Sequence, residues 1–184
     1  MRLVTRFLVN RTAAAAAEMA LILPMLIALM FGGFEAGYYF YNAHKVTKAV
    51  RDGARYAGRM RFAAYDCTSA SGFASPAAEV KSGLTVEQAI RNITRTDTIS
   101  GTGAPYVPGW ANSGVVITVT CSDTASDVGA NTFDPRTGLF VDQPKVISVR
   151  VAANTSYRPL FSQLGFSTAS VGLASSSQAT VMGL

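Results

Sequence analysis

Apolar residues run almost unbroken from Thr12 to Phe34, TAAAAAEMALILPMLIALMFGGF, after which the hydrophobic pattern turns from continuous to periodic. At 1.5 Å rise per residue this stretch makes a helix about 34 Å long, enough to cross a hydrocarbon core of roughly 30 Å. Tyr38, Tyr39, Phe40 and Tyr41 follow, as in the aromatic belt where a span leaves a bilayer. Beyond them Val46, Ala49, Val50, Gly53, Ala54 and Ala57 recur at helical spacing, while Lys48, Arg51, Arg55 and Arg59 follow the opposite face. The pattern predicts a basic segment over 1–12, a transmembrane helix over 13–43, and an amphipathic extension of the same helix over 44–64.

After Ala64 the helical period stops. Ser, Gly and Pro dominate residues 68–83, a loop. Thr85-Val-Glu-Gln88 then has the form of a capping box, opening a short helix that ends near Thr94. A second loop, SGTGAPYVPGWANSG, carries the single Trp; its Gly and Pro are turn chemistry, and no Gly-Lys-Ser/Thr follows to cradle a phosphate. The β-branched runs Val115–Cys121 and Lys145–Val151 predict two strands, and a third is expected over about Ala169–Met182. Antiparallel pairing behind a long helix gives an α+β domain over 65–184 with one sheet face covered.

The net charge of +5 raises nucleic acid as a partner, and its distribution argues against it. Nine Lys/Arg in residues 1–64 face only Glu18, Glu35 and Asp52, whereas residues 65–184 hold seven Lys/Arg and eight Asp/Glu. The excess therefore flanks the apolar helix, where basic side chains meet lipid headgroups. No nucleic-acid partner is expected. Arg51, Arg55 and Arg59 read either as a partner-binding stripe or as a solvated, headgroup-facing surface.

Several residues within the span carry their own arguments. Glu18 is the only charge between Thr12 and Phe34, and a carboxylate there is costly unless it is paired or lies in the headgroup layer. Pro24 removes one backbone hydrogen bond, which a membrane helix tolerates. Gly33 and Gly37 form a GxxxG pair that lets another helix approach. A cleaved signal peptide competes with the anchor, since Arg2, Arg6 and Arg11 precede the apolar run. Against it stand the length of that run and the helical period continuing where a cleavage site would fall. Counting charges puts the carboxyl-terminal side inside, while the cysteines favour an oxidising compartment; we take the amino terminus as cytoplasmic.

Cys67 and Cys121 have no spacing that suits zinc. They either close a loop of about 55 residues, worth roughly 4 kcal/mol in the chain-entropy model, or lie as two buried thiols. The sole His, His44, stands in the helix away from any Ser, Cys or carboxylate cluster, and reads as an interfacial side chain. Asp123, Asp127 and Asp134 are spaced too irregularly for a calcium loop of the EF-hand kind. No cofactor is expected, and no enzyme.

The run RTAAAAAEMALILPMLIALMFGGFEAGYYFYN, followed by Arg51-Asp52-Gly53-Ala54-Arg55-Tyr56-Ala57, resembles the TadE-like pseudopilins of tight-adherence pilus systems over about residues 11–58. Thr155-Ser-Tyr-Arg-Pro-Leu-Phe161 is similar to the same family. The resemblance implies a bacterial inner-membrane protein, cut by a prepilin peptidase, that serves an Flp-type pilus as a minor pseudopilin or assembly factor alongside other pilins and secretion-assembly proteins. In that family a Gly precedes the cut and a Glu stands fifth in the mature chain. Glu18 then sets the cut between Ala13 and Ala14, with Ala13 departing from the Gly and Met19 from the aromatic that often follows the Glu. The contrasting expectation is a single-pass membrane-anchored periplasmic binding module, in which the helix is only a tether.

Overall fold

The computed structural model describes residues 11–74, 80, 83–123, 145–162 and 171–183. The segment before Arg11, Asp127, Asp134 and positions 169–170 of the expected third strand lie outside the described residues. In chain order the elements are α1 (Arg11–Gly58), a 3-10 turn (Phe62–Ala64), α2 (Val86–Thr96), a second 3-10 turn (Asn112–Gly114), β1 (Val115–Asp123), β2 (Lys145–Ser156) and β3 (Gly172–Thr180). The chain divides into two compact units, Met1–Phe40 with Pro159–Ser167, and Tyr41–Arg158 with Thr168–Leu184.

The second unit is an α+β domain built on a three-stranded antiparallel sheet in the order β1-β2-β3. Val119 pairs with Val149 in the first ladder, and Val151 with Ser177 in the second. The period-two burial of a half-covered sheet is clearest on β2, where Ile147, Val149, Val151 and Ala153 are buried. Arg150 on the other face is exposed and bonds Ser176 at 3.1 Å. Val46, Ala49, Val50, Ala54 and Ala57 of α1, Ala89 and Ile90 of α2, and Trp110 are also part of the core. Trp110 is 2% exposed, so the loop read as turn chemistry also supplies the largest core side chain.

The sequence predicts α2 closely because its start is written locally. Gln88 N donates to Thr85 Oγ1 and Thr85 N donates to Gln88 Oε1, both at 3.1 Å, the reciprocal capping box. Asp97 ends the helix in the left-handed region (φ 59°) and donates its N–H to Ile93 O. Arg91 fastens α2 to the start of β1 through Val115 O, and it pairs with Glu87 at 2.7 Å.

The long helix ends at Gly58, before the expected Ala64. Tertiary bonds account for the stop, because the last carbonyls find partners that a continuing helix would displace. Arg59 N bonds Tyr56 O, Met60 N and the Tyr65 hydroxyl both bond Ala57 O, and Met182 N bonds Gly58 O. Gly58 also lies against the end of β3, where an added Cβ would stand 2.9 Å from Thr180 O. Residues 62–64 keep a single 3-10 turn in place of the predicted α-helical extension.

Candidate functional site

The functional candidate is α1, whose two parts have opposite exposure. Between Met19 and Phe34 the large apolar side chains other than Phe31 are solvent-exposed, Leu21 at 80% and Met25 at 66%. The helix is long and apolar enough to cross a membrane, and none of its most apolar stretch is buried in the fold. Pro24 lies inside the helix, which continues through it. Ala14 and Glu18 are exposed, and Glu18 has no ion-pair partner among the described residues. Gly33 and Gly37 have no neighbouring atom within 4 Å of where a Cβ would lie.

Sequence reasoning counted Glu35 only as a charge, and the structure gives it a task. Its carboxylate accepts from the backbone N–H groups of Leu160 and Phe161 at 3.1–3.2 Å, and the Phe161 ring meets Phe31 edge-on at 4.9 Å between centroids. Leu160 and Phe161 are thus held on the helix one turn before Tyr38. A signal was available: the argument that singled out Glu18, a carboxylate beside lipid-length apolar sequence, applies equally to Glu35.

The Arg51–Ala57 block divides between two surfaces. Gly53, Ala54 and Ala57 are buried, and Gly53 touches α2 so closely that an added Cβ would fall 2.0 Å from Thr94 Oγ1. Tyr56 is half-buried, and burial raises its phenol above the ordinary value of 10.0. Arg51 and Arg55 are exposed; Asp52 pairs with Lys48 at 3.2 Å and with Arg55 at 3.8 Å. The Lys48 ammonium is held well above its ordinary value by its hydrogen bond to Tyr106 Oη (3.0 Å) and by the Asp52 carboxylate. With Tyr41, His44, Lys45 and Thr47 these polar residues line a groove of about 480 Å³.

Cys67 and Cys121 form a disulfide, with Cα atoms 5.9 Å apart and a sequence separation of 54. It ties the turn after α1 to β1, and Gly72 in that turn (φ +76°) packs against Val119 with no room for a side chain. Asp66 accepts from Thr68 N and Oγ1 at 2.8 and 2.7 Å, bonds that lower its carboxyl below the usual range. Among the described residues no group of three or more His, Cys, Asp or Glu is placed to hold a metal ion.

Comparison with known families finds a likeness within the helix. Residues 13–55 match the TadE-like protein family. The matched stretch takes in the exposed apolar part of α1 and the buried part as far as Arg55, and stops before the strands of the sheet. A TadE-like segment suggests a part in tight-adherence pilus systems, whose family members are structural and assembly proteins, and the exposed apolar helix fits a membrane anchor. No curated protein and no solved structure matches the chain.

Proposed function

We propose that this chain is a minor pseudopilin or assembly factor of a tight-adherence, Flp-type pilus, anchored in a bacterial inner membrane and acting by helix–helix and subunit association. The supporting observation is that the TadE-like stretch coincides with a helix whose apolar side chains point outward in its first part and form a domain core in its second. A tether needs only the first of these properties. A subunit whose helix also builds its folded domain needs both.

In this reading the amino terminus is cytoplasmic and the sheet domain periplasmic, where the Cys67–Cys121 bridge survives. A prepilin peptidase cuts between Ala13 and Ala14. The new α-ammonium and the Glu18 carboxylate neutralise one another, within one helix or between staggered helices, and so set subunit register; breaking a buried pair typically costs about 3–5 kcal/mol. Gly33 and Gly37 are the surface that a neighbouring helix meets.

Affinity isolation from native membranes tests the proposal. Pilus components accompany the wild-type chain and are lost with Glu18→Ala, while Glu18→Ala stays in the membrane fraction. Isolation of the chain free of any pilus component, with or without that substitution, sinks the association reading in favour of a tethered binding module.

A further inference from the structure

A groove lies on α1 beside Tyr41, at the end of the aromatic run. At 100° per residue, Lys45 and Arg51 stand about 120° apart around the helix, with Lys48 and Arg55 between them. Four cations thus share one groove with a single carboxylate, Asp52, which is already bonded to Lys48 and Arg55. Lys45 and Arg51 have no carboxylate within ion-pair distance among the described residues. This leaves a net positive, concave face on which Lys48, Arg51 and Arg55 are exposed and Lys45 is half-buried.

Its position selects the occupant. Side chains on a helix lean toward its amino terminus, here toward the span. Lys45 shows that lean directly, its Nζ lying 4.5 Å from the centroid of the Tyr41 ring, one turn back. The headgroup layer on each side of a bilayer adds roughly 6 Å to the hydrocarbon core, so an ammonium at the level of Tyr41 lies within it. Lys48 follows about 10 Å above Tyr41 along the axis, and Arg51 about 15 Å. Both still act on charges at the surface within one or two Debye lengths. Each cation near an anionic surface strengthens attraction by roughly fivefold.

From this geometry we infer that the Lys45–Arg55 groove binds the phosphate of an anionic phospholipid headgroup beside the emerging helix. The ligand is recognised by charge and by the shape of the groove, and it fixes the depth and rotation of α1 in the bilayer. The inference rests on the reading of α1 as a membrane anchor.

The test uses the full-length chain in non-ionic detergent, offered equal amounts of phosphatidylglycerol and phosphatidylcholine, with retained lipid counted by native mass spectrometry. The expected result is at least a tenfold preference for phosphatidylglycerol, abolished in Lys45→Gln/Arg51→Gln and kept in Arg150→Gln on the open sheet face. All three substituted side chains leave the core untouched, and an unchanged melting temperature confirms it. Equal retention of the two lipids by wild type, or full preference in the double variant, overturns the inference. So does loss from the double variant of an acidic co-purifying protein with lipid retention unchanged, which would make the groove a protein interface. Carbonate extraction of the double variant separates this failure from that of the anchor. A chain that stays in the membrane without lipid preference refutes only the groove, whereas a chain released by carbonate refutes the anchor itself.

Discussion

Gly53 of the long helix backs onto Thr94 of α2, with space for a hydrogen and nothing larger between Gly53 Cα and Thr94 Oγ1. Thr94 is fully buried and its hydroxyl bonds Ile90 O at 2.8 Å, so it has no free direction in which to retreat. Gly53→Ala gains about 1 kcal/mol of helix propensity and loses about 1–3 kcal/mol to overpacking, a net loss of up to about 2 kcal/mol. Thr94→Ala removes the atom at 2.0 Å and leaves the next contact at 3.2 Å. Denaturant unfolding of both single variants and the double variant is expected to show the double more stable than Gly53→Ala alone; strict additivity would contradict the contact.

Tyr65 closes the carboxyl end of α1 through its hydroxyl on Ala57 O at 2.7 Å. Tyr65→Phe is expected to lose about 1 kcal/mol. Burial, and secondarily the neighbouring Tyr56, raise its phenol well above the ordinary 10.0. The folded state therefore holds a proton that the unfolded chain releases near pH 10, and stability present below that pH falls as pH rises toward the folded value. Alkaline unfolding curves should be steeper above pH 10 for wild type than for Tyr65→Phe.

Asp97 occupies a left-handed position at the carboxyl end of α2, unfavourable both for a residue with a Cβ and for a negative charge beside the last carbonyls. Asp97→Gly relieves both effects and is expected to stabilise by about 0.5–1 kcal/mol; Asp97→Asn relieves only the charge and should give less. Thermal melts of the two variants measure the difference, and a loss with Gly would contradict the αL cap.

The bridge between Cys67 and Cys121 closes a loop of 54 positions. Reduction, or Cys67→Ser/Cys121→Ser, should lower the stability of the full chain in micelles by about 4 kcal/mol. An unfolding midpoint indifferent to reductant would show that the bridge does not constrain the unfolded chain.

What the sequence made legible was local or periodic. The capping box of α2, the strand cores of β1 and β2, and the exposed and buried faces of α1 all follow from residue spacing. The stop at Gly58 did not, because Met182 and Tyr65 impose it from 124 and 7 positions away. Neither did the meaning of Gly53: a small residue on an amphipathic face is compatible with any close neighbour, and only tertiary structure supplies Thr94. Glu35 was legible in principle, yet its partners are backbone N–H groups 125 and 126 residues on, which carry no side-chain signature. Trp110 was hidden for a similar reason, as its Gly- and Pro-rich surroundings describe a turn while its ring fills the core.

The most direct test of the account is the intact mass and amino-terminal sequence of the chain recovered from its native membrane. A chain beginning at Ala14, with α1 retained and Cys67 and Cys121 oxidised, is the predicted result. An amino terminus beyond Phe34 would contradict it, because the apolar helix would then be a removed signal sequence and the anchor and pseudopilin readings would fall together.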